Sequence, residues 1–178
     1  MKTTNITLVL IGILIFCMTD ASAQTRFYDT PRVFHEQGFT YESIIIGRHV
    51  FLANRDSRWI GVDLVRRDGT VRGYRPRIDR NNQNQMEQLA RTIVNNAFTP
   101  AERQRLRGSE LWLTFYADSQ TGVVDDIEFT FDKLSGFATI PVSTYRKIEL
   151  ELKNRIQFVP TAEGRLHNYL FFWFTIDM

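Results

Sequence analysis

Apolar positions along this chain follow two rhythms, alternation and three-to-four spacing, and the two take turns. Residues 39–46, Phe-Thr-Tyr-Glu-Ser-Ile-Ile-Ile, and 49–53, His-Val-Phe-Leu-Ala, are rich in β-branched and aromatic residues and flank Gly47. That composition predicts two short strands joined by a tight turn. Alternation from Trp59 to Val65 predicts another strand, and Asp68-Gly69 would close it into a hairpin, because this dipeptide accepts positive φ. Met86, Leu89, Ile93 and Ala97, with Ala90 and Val94, then recur at helical spacing and predict one amphipathic helix. Thr99, Pro100 and Glu102 supply the N-cap, the first-turn proline and the capping-box acid of a further helical turn, which Gly108 ends.

The second half repeats the order more cleanly. Residues 111–117 and 123–131 predict a hairpin across 118–122. Ile127, Phe129 and Phe131 share one face of it, while Glu128, Thr130 and Asp132 share the other, which predicts a wet side to the sheet. From Pro141 a helix places Tyr145, Ile148, Leu152 and Ile156 inward; Phe158 and Pro160 mark its exit and Gly164 turns the chain. The last strand, from Tyr169 to Ile176, carries Phe171-Phe172-Trp173-Phe174. Successive strand residues face opposite ways, so aromatic side chains stand on both sides. Either the strand is central and covered on both faces, or it exposes an apolar patch that marks a partner site.

Phe98-Thr99-Pro100 and Phe158-Val159-Pro160 follow the two helices about sixty residues apart, each copy preceded by a glycine turn and followed by an aromatic strand. The expected fold is therefore α+β: antiparallel sheet with helices packed on one face, built from two pseudo-repeated ββαβ units. The expected layout is an N-terminal β segment over 24–58, a first repeat over 59–110 and a second over 111–178, all in one domain.

Residues 1–23 read as an export signal. Lys2 precedes an apolar run from Ile6 to Met18, and Ala21-Ser22-Ala23 offers small residues at the cleavage positions. Cys17 also follows that run and opens the alternative of lipidation, although bulky Phe16 precedes it. Cleavage after Ala23 would leave no cysteine, no integral membrane span, and a fold held by its core alone. The expected location is periplasmic or cell-surface.

Net charge is +2, but it is unevenly distributed. Residues 48–107 hold thirteen arginines, no lysine and six acids, whereas residues 108–178 hold six basic residues against ten acids. Arg66, Arg67, Arg72, Arg75 and Arg77 could together bind an anionic glycan or lipid headgroup, or form a solvated face. Nucleic acid is not an expected partner.

Convergent catalytic chemistry is not apparent. His35, His49 and His167 show no metal-ligand spacing, and Asp125, Asp126, Glu128 and Asp132 lack a calcium-loop pattern and read as a wet sheet face. Ser57, Ser119 and Ser135 lie in turns without a nucleophile elbow, and no phosphate-binding glycine loop occurs. No metal or cofactor is expected, and the chain is read as non-enzymatic.

Gly122-Val123-Val124, Ser135-Gly136, Phe158-Val159-Pro160 and Gly164, followed by the strand to Ile176, resemble the C-terminal domain of TonB-type energy-transducing proteins over residues 111–178. The resemblance implies a sheet-and-helix domain that binds protein segments by adding a strand at a sheet edge. The family's membrane anchor and proline-rich spacer have no counterpart among five scattered prolines, so energy transduction is not implied. The chain is also similar to secreted proteins of gut Bacteroidetes. These readings converge on an exported interaction module of the cell envelope that engages another envelope protein. The edge would be either the strand around Phe39–Ile46 or the last strand, with Tyr169, Phe171, Trp173 and Thr175 as contacts.

Overall fold

The structure is a computed structural model describing residues 25–36, 38–70 and 77–178. The segments expected to form the export signal and to carry Arg72 and Arg75 lie outside the described residues. The fold is α+β. Strands β1 (Arg32–Glu36), β2 (Phe39–Ile46), β3 (His49–Asn54), β4 (Glu110–Asp118), β5 (Val124–Asp132) and β6 (Tyr169–Asp177) form one antiparallel sheet in the order β1-β2-β3-β5-β4-β6. Three α-helices, α1 (Arg80–Ala97), α2 (Pro100–Leu106) and α3 (Val142–Arg155), join the core on one face of that sheet.

The predicted periodicities account for these elements. Ile93 and Val94 of α1, Leu106 of α2, and Tyr145, Ile148 and Leu152 of α3 are buried against Val50, Leu52, Leu111, Leu113, Phe115, Phe129 and Phe131. Asp79 caps α1 through Asn82 N–H, and Thr99 with Glu102 forms the full capping box of α2. These contacts satisfy amide donors that a helix start leaves without intrahelical acceptors. Between β4 and β5, Asp118 Oδ1 accepts from the Gln120 and Thr121 amides, and Gly122 has φ +73°.

Gly122 also joins two motifs far apart in sequence. The Phe158 amide donates to its carbonyl at 2.9 Å. A Cβ at this position would stand 1.7 Å from the Phe158 carbonyl oxygen. The hairpin turn is thus docked backbone-to-backbone on the exit from α3. Phe158, 2% exposed, packs edge-on to Phe115 and Phe172.

Among the described residues, Glu149 is the most deeply buried carboxylate. Glu149 on α3 is fully buried, paired with Arg146 at 2.6 Å and Lys153 at 2.7 Å, and it accepts a hydrogen bond from the Tyr41 hydroxyl. Burial pushes its carboxyl up, but Lys153, Tyr41 and Arg146 reverse this and hold it below the usual carboxylate range.

The expectations of the first repeat fail at its start. Trp59–Val65 is not a strand. Its backbone polar groups are satisfied by side chains: Asp126 Oδ2 accepts from the Arg58 and Trp59 amides, Asn168 bonds the Val65 amide and Asp63 carbonyl, and the Tyr169 hydroxyl donates to the Val62 carbonyl. Gly61, at φ +82°, turns the chain within the segment. The two prolines also differ in role. Pro100 opens α2, whereas Pro160 forms an isolated bridge with Ile78, so the first unit does not reproduce the second.

One alternative is decided and two further expectations are corrected. The last strand is the edge, as one of its two readings had it, because β4 is its sole strand neighbour among the described residues. The strand Phe39–Ile46 is internal, flanked by β1 and β3. Around Asp126 the supposedly wet face is covered, leaving that residue 5% exposed beneath the 58–59 backbone.

Candidate functional site

Hydrogen-bond alternation fixes what the β6 edge presents. In an antiparallel ladder, each residue directs its N–H and C=O to the same side, and consecutive residues alternate. The Met178 amide donates toward β4, to Ser109 C=O at 3.1 Å. Residues 170, 172, 174 and 176 therefore bond β4, and Phe171, Trp173 and Thr175 direct their backbone groups outward. Among the described residues no strand pairs with them. The open edge contains no lysine, proline or inward charge of the kinds that blunt edges.

Above this edge stands an aromatic strip on the sheet face opposite the helices. Trp112 of β4 and Trp173 of β6 are 39% and 54% exposed, near-parallel at 26°, with centroids 6.1 Å apart. That separation is an offset arrangement, which leaves part of each ring open. His49 of β3 continues the strip 5.7 Å from Trp112. Beyond it lie exposed Ile46 and Ile44 on β2.

The four expected contact residues divide between two roles. Tyr169 is buried against Trp59, with centroids 5.1 Å apart, and is a structural clamp. Phe171 is half-buried against Tyr116, whereas Trp173 is exposed and Thr175 half-buried beside it. Trp112 is the residue the sequence reasoning passed over. Its parity, opposite to that of Leu111, Leu113 and Phe115, already placed it on the outer face.

A cleft of about 370 Å³ opens where this strip meets the end of the sheet, lined in part by Arg48, His49, Ser109, Glu110, Trp112 and Asp132. Arg48 and Asp132 are ion-paired. The Leu134 amide and Arg48 together hold the Asp132 carboxyl below the usual range against a smaller desolvation effect. Farther along β5, burial pushes Glu128 up, and burial also raises Asp126 despite the Trp59 and Arg58 amides that favour its charge.

Of the expected arginine cluster, Arg66, Arg67 and Arg77 are among the described residues, and each has partners of its own. Arg66 is engaged by Asp68 at 2.8 Å and Glu163 at 2.7 Å, and Arg67 donates to Ser119. Arg77 is partly buried, and its carbonyl accepts the Thr161 amide. Of the histidines, His35 is exposed, His49 lies on the aromatic strip, and His167 is buried with Nδ1 3.0 Å from the Glu163 carbonyl. No group of three or more His, Cys, Asp or Glu among the described residues could hold a metal ion. No described helix is long and apolar enough to cross a membrane.

The family model described as "Domain of unknown function (DUF5043)" matches residues 24–174. The crystal structure of a DUF5043 family protein from Bacteroides uniformis ATCC 8492 is similar at a TM-score of 0.78 and 29% sequence identity, covering 86% of this chain and 88% of that one. A search of curated proteins finds no match.

Proposed function

The chain belongs to the DUF5043 family, and we propose that it is an exported, non-enzymatic interaction module of the cell envelope that captures an extended segment of another envelope protein along β6. The observation that carries this reading is the β6 edge, which no strand pairs among the described residues. Phe171, Trp173 and Thr175 offer outward backbone donors and acceptors over a nine-residue strand, which is the requirement for strand addition. Exposed Trp173, backed by Trp112, would cover alternate side chains of the added strand. The sequence resemblance of residues 111–178 to the C-terminal domain of TonB-type proteins, carried by Gly122-Val123-Val124 and Phe158-Val159-Pro160, supports the reading, because strand addition is the binding mode in that family. Export rests on the leader-like composition of residues 1–23.

Thr175→Pro is the discriminating variant. It removes an outward amide, not a donor to β4, so folding should persist while capture is lost. Hydrogen exchange supplies the site-specific measurement. In the free protein the Phe171, Trp173 and Thr175 amides should exchange fast while those of Leu170, Phe172 and Phe174 are protected. Envelope extract should then protect the first set in wild type. An edge that gains no protection, with partner cross-links at Arg66 and Arg67 instead, would transfer the function to an anionic ligand.

A further inference from the structure

We propose that the cleft beside Trp112 is a binding site for an uncharged pyranoside, with an oligosaccharide extending along the indole strip toward Trp173. Its wall and rim demand a ligand of two characters. The Trp112 ring, offset from Trp173 and flanked by His49, supplies a partly open apolar surface. Arg48, Glu110, Asp132 and Ser109 supply the polar rim.

The rim charges are mixed and partly spent. Arg48 and Asp132 neutralise each other, and Asp132 is fixed again by the Leu134 amide. An incoming anion would meet Glu110 and Asp132, and a cation would meet Arg48. Hydroxyl groups, which both donate and accept, can satisfy the guanidinium and the carboxylates at once. A pyranose combines such a hydroxyl rim with an apolar C–H face that can lie on an indole. The cleft volume, about 370 Å³, falls in the small-molecule range. Trp112 and Trp173 occupy diagonal positions on neighbouring strands, since Trp112 opposes Thr175 and Trp173 opposes Thr114. The apolar strip therefore leads away from the cleft, which favours a chain of sugars over a single ring.

The site does not depend on strand addition, and the test separates the two. Labelled full-length chain is applied to an array of immobilised neutral and acidic oligosaccharides, and the strongest neutral hit is titrated by tryptophan fluorescence. Binding should survive about 0.5 M salt, because a neutral ligand is not held by screened charge. Trp112→Ala should weaken it by about tenfold or more and Trp112→Phe by less, as loss and partial retention of the aromatic surface predict. Saturating oligosaccharide should leave the outward Phe171, Trp173 and Thr175 amides fast to exchange, which strand addition would not, and thermal melts confirm that each variant is folded. If no neutral oligosaccharide is retained, if folded Trp112→Ala binds as wild type, or if only acidic glycans bind and salt abolishes it, the proposal is overturned.

Discussion

Removing the Phe158 ring should destabilise the protein more than any other single truncation at the exit of α3. The ring is 2% exposed and meets Phe115 and Phe172 edge-on, each at 5.6 Å between centroids. Burial of a phenylalanine side chain contributes about 2–3 kcal/mol. Two edge-to-face pairs add about 0.5–1.5 kcal/mol each. Neither Phe115 nor Phe172 can collapse freely into the space, because both are strand residues held in the sheet. A cost of about 4 kcal/mol follows, within the range for buried Phe→Ala changes. Phe98→Ala is the internal control, since Phe98 is equally buried but has a single ring neighbour among the described residues, Phe137 at 6.0 Å. Urea unfolding followed by fluorescence and circular dichroism would measure both. The melting temperature of Phe158→Ala should fall by about 8–16 °C for a domain of this size. A loss below about 1 kcal/mol, or a larger loss at Phe98, would refute the assignment of Phe158 as the pin between α3 and the sheet.

Gly122→Ala should cost about 3 kcal/mol or more because its Cβ would collide with the Phe158 carbonyl, whereas Gly69→Ala, with positive φ but open space, should cost about 1–2 kcal/mol; chemical denaturation of the pair checks this. Glu149→Gln should lower stability at neutral pH. Its folded carboxyl lies below the unfolded value, so its contribution is present above the unfolded pKa and fades as pH falls through the folded one. Glu128 has the opposite sign: burial raises it, so ionisation costs stability as pH rises through its folded value. Glu128→Gln should therefore raise the melting temperature at pH near 7, with the gain shrinking on acidification. Thr99→Ala should cost about 1 kcal/mol through loss of the capping box, read from the same denaturation curves.

Much of the architecture was written in local pattern. β-Branched and aromatic composition placed β2 and β3, alternation placed β4, β5 and the aromatic last strand, and helical spacing placed α1 and α3, because side-chain periods of two and 3.6 follow from backbone geometry. Thr99-Pro100-Ala101-Glu102 specified its cap chemically, and the structure has that cap. Trp112 was legible too, as a large apolar residue at the wrong parity for the core. What local pattern could not supply was pairing between distant segments. Trp59–Val65 has strand-like alternation, yet Asp126 and Asn168, from 67 to 105 positions farther along the chain, take its backbone hydrogen bonds and leave it an irregular cover over the sheet. Neither could it say that β3 would join β5, making Phe39–Ile46 internal, or that nothing described would flank β6. The period of a strand states which side chains share a face, but a strand's place in the sheet is set by which distant partner buries the most apolar surface and satisfies the most backbone groups. The open edge, the Trp112–Trp173 strip and the dispersal of Arg66 and Arg67 to separate partners are consequences of that choice, and only the tertiary structure makes it.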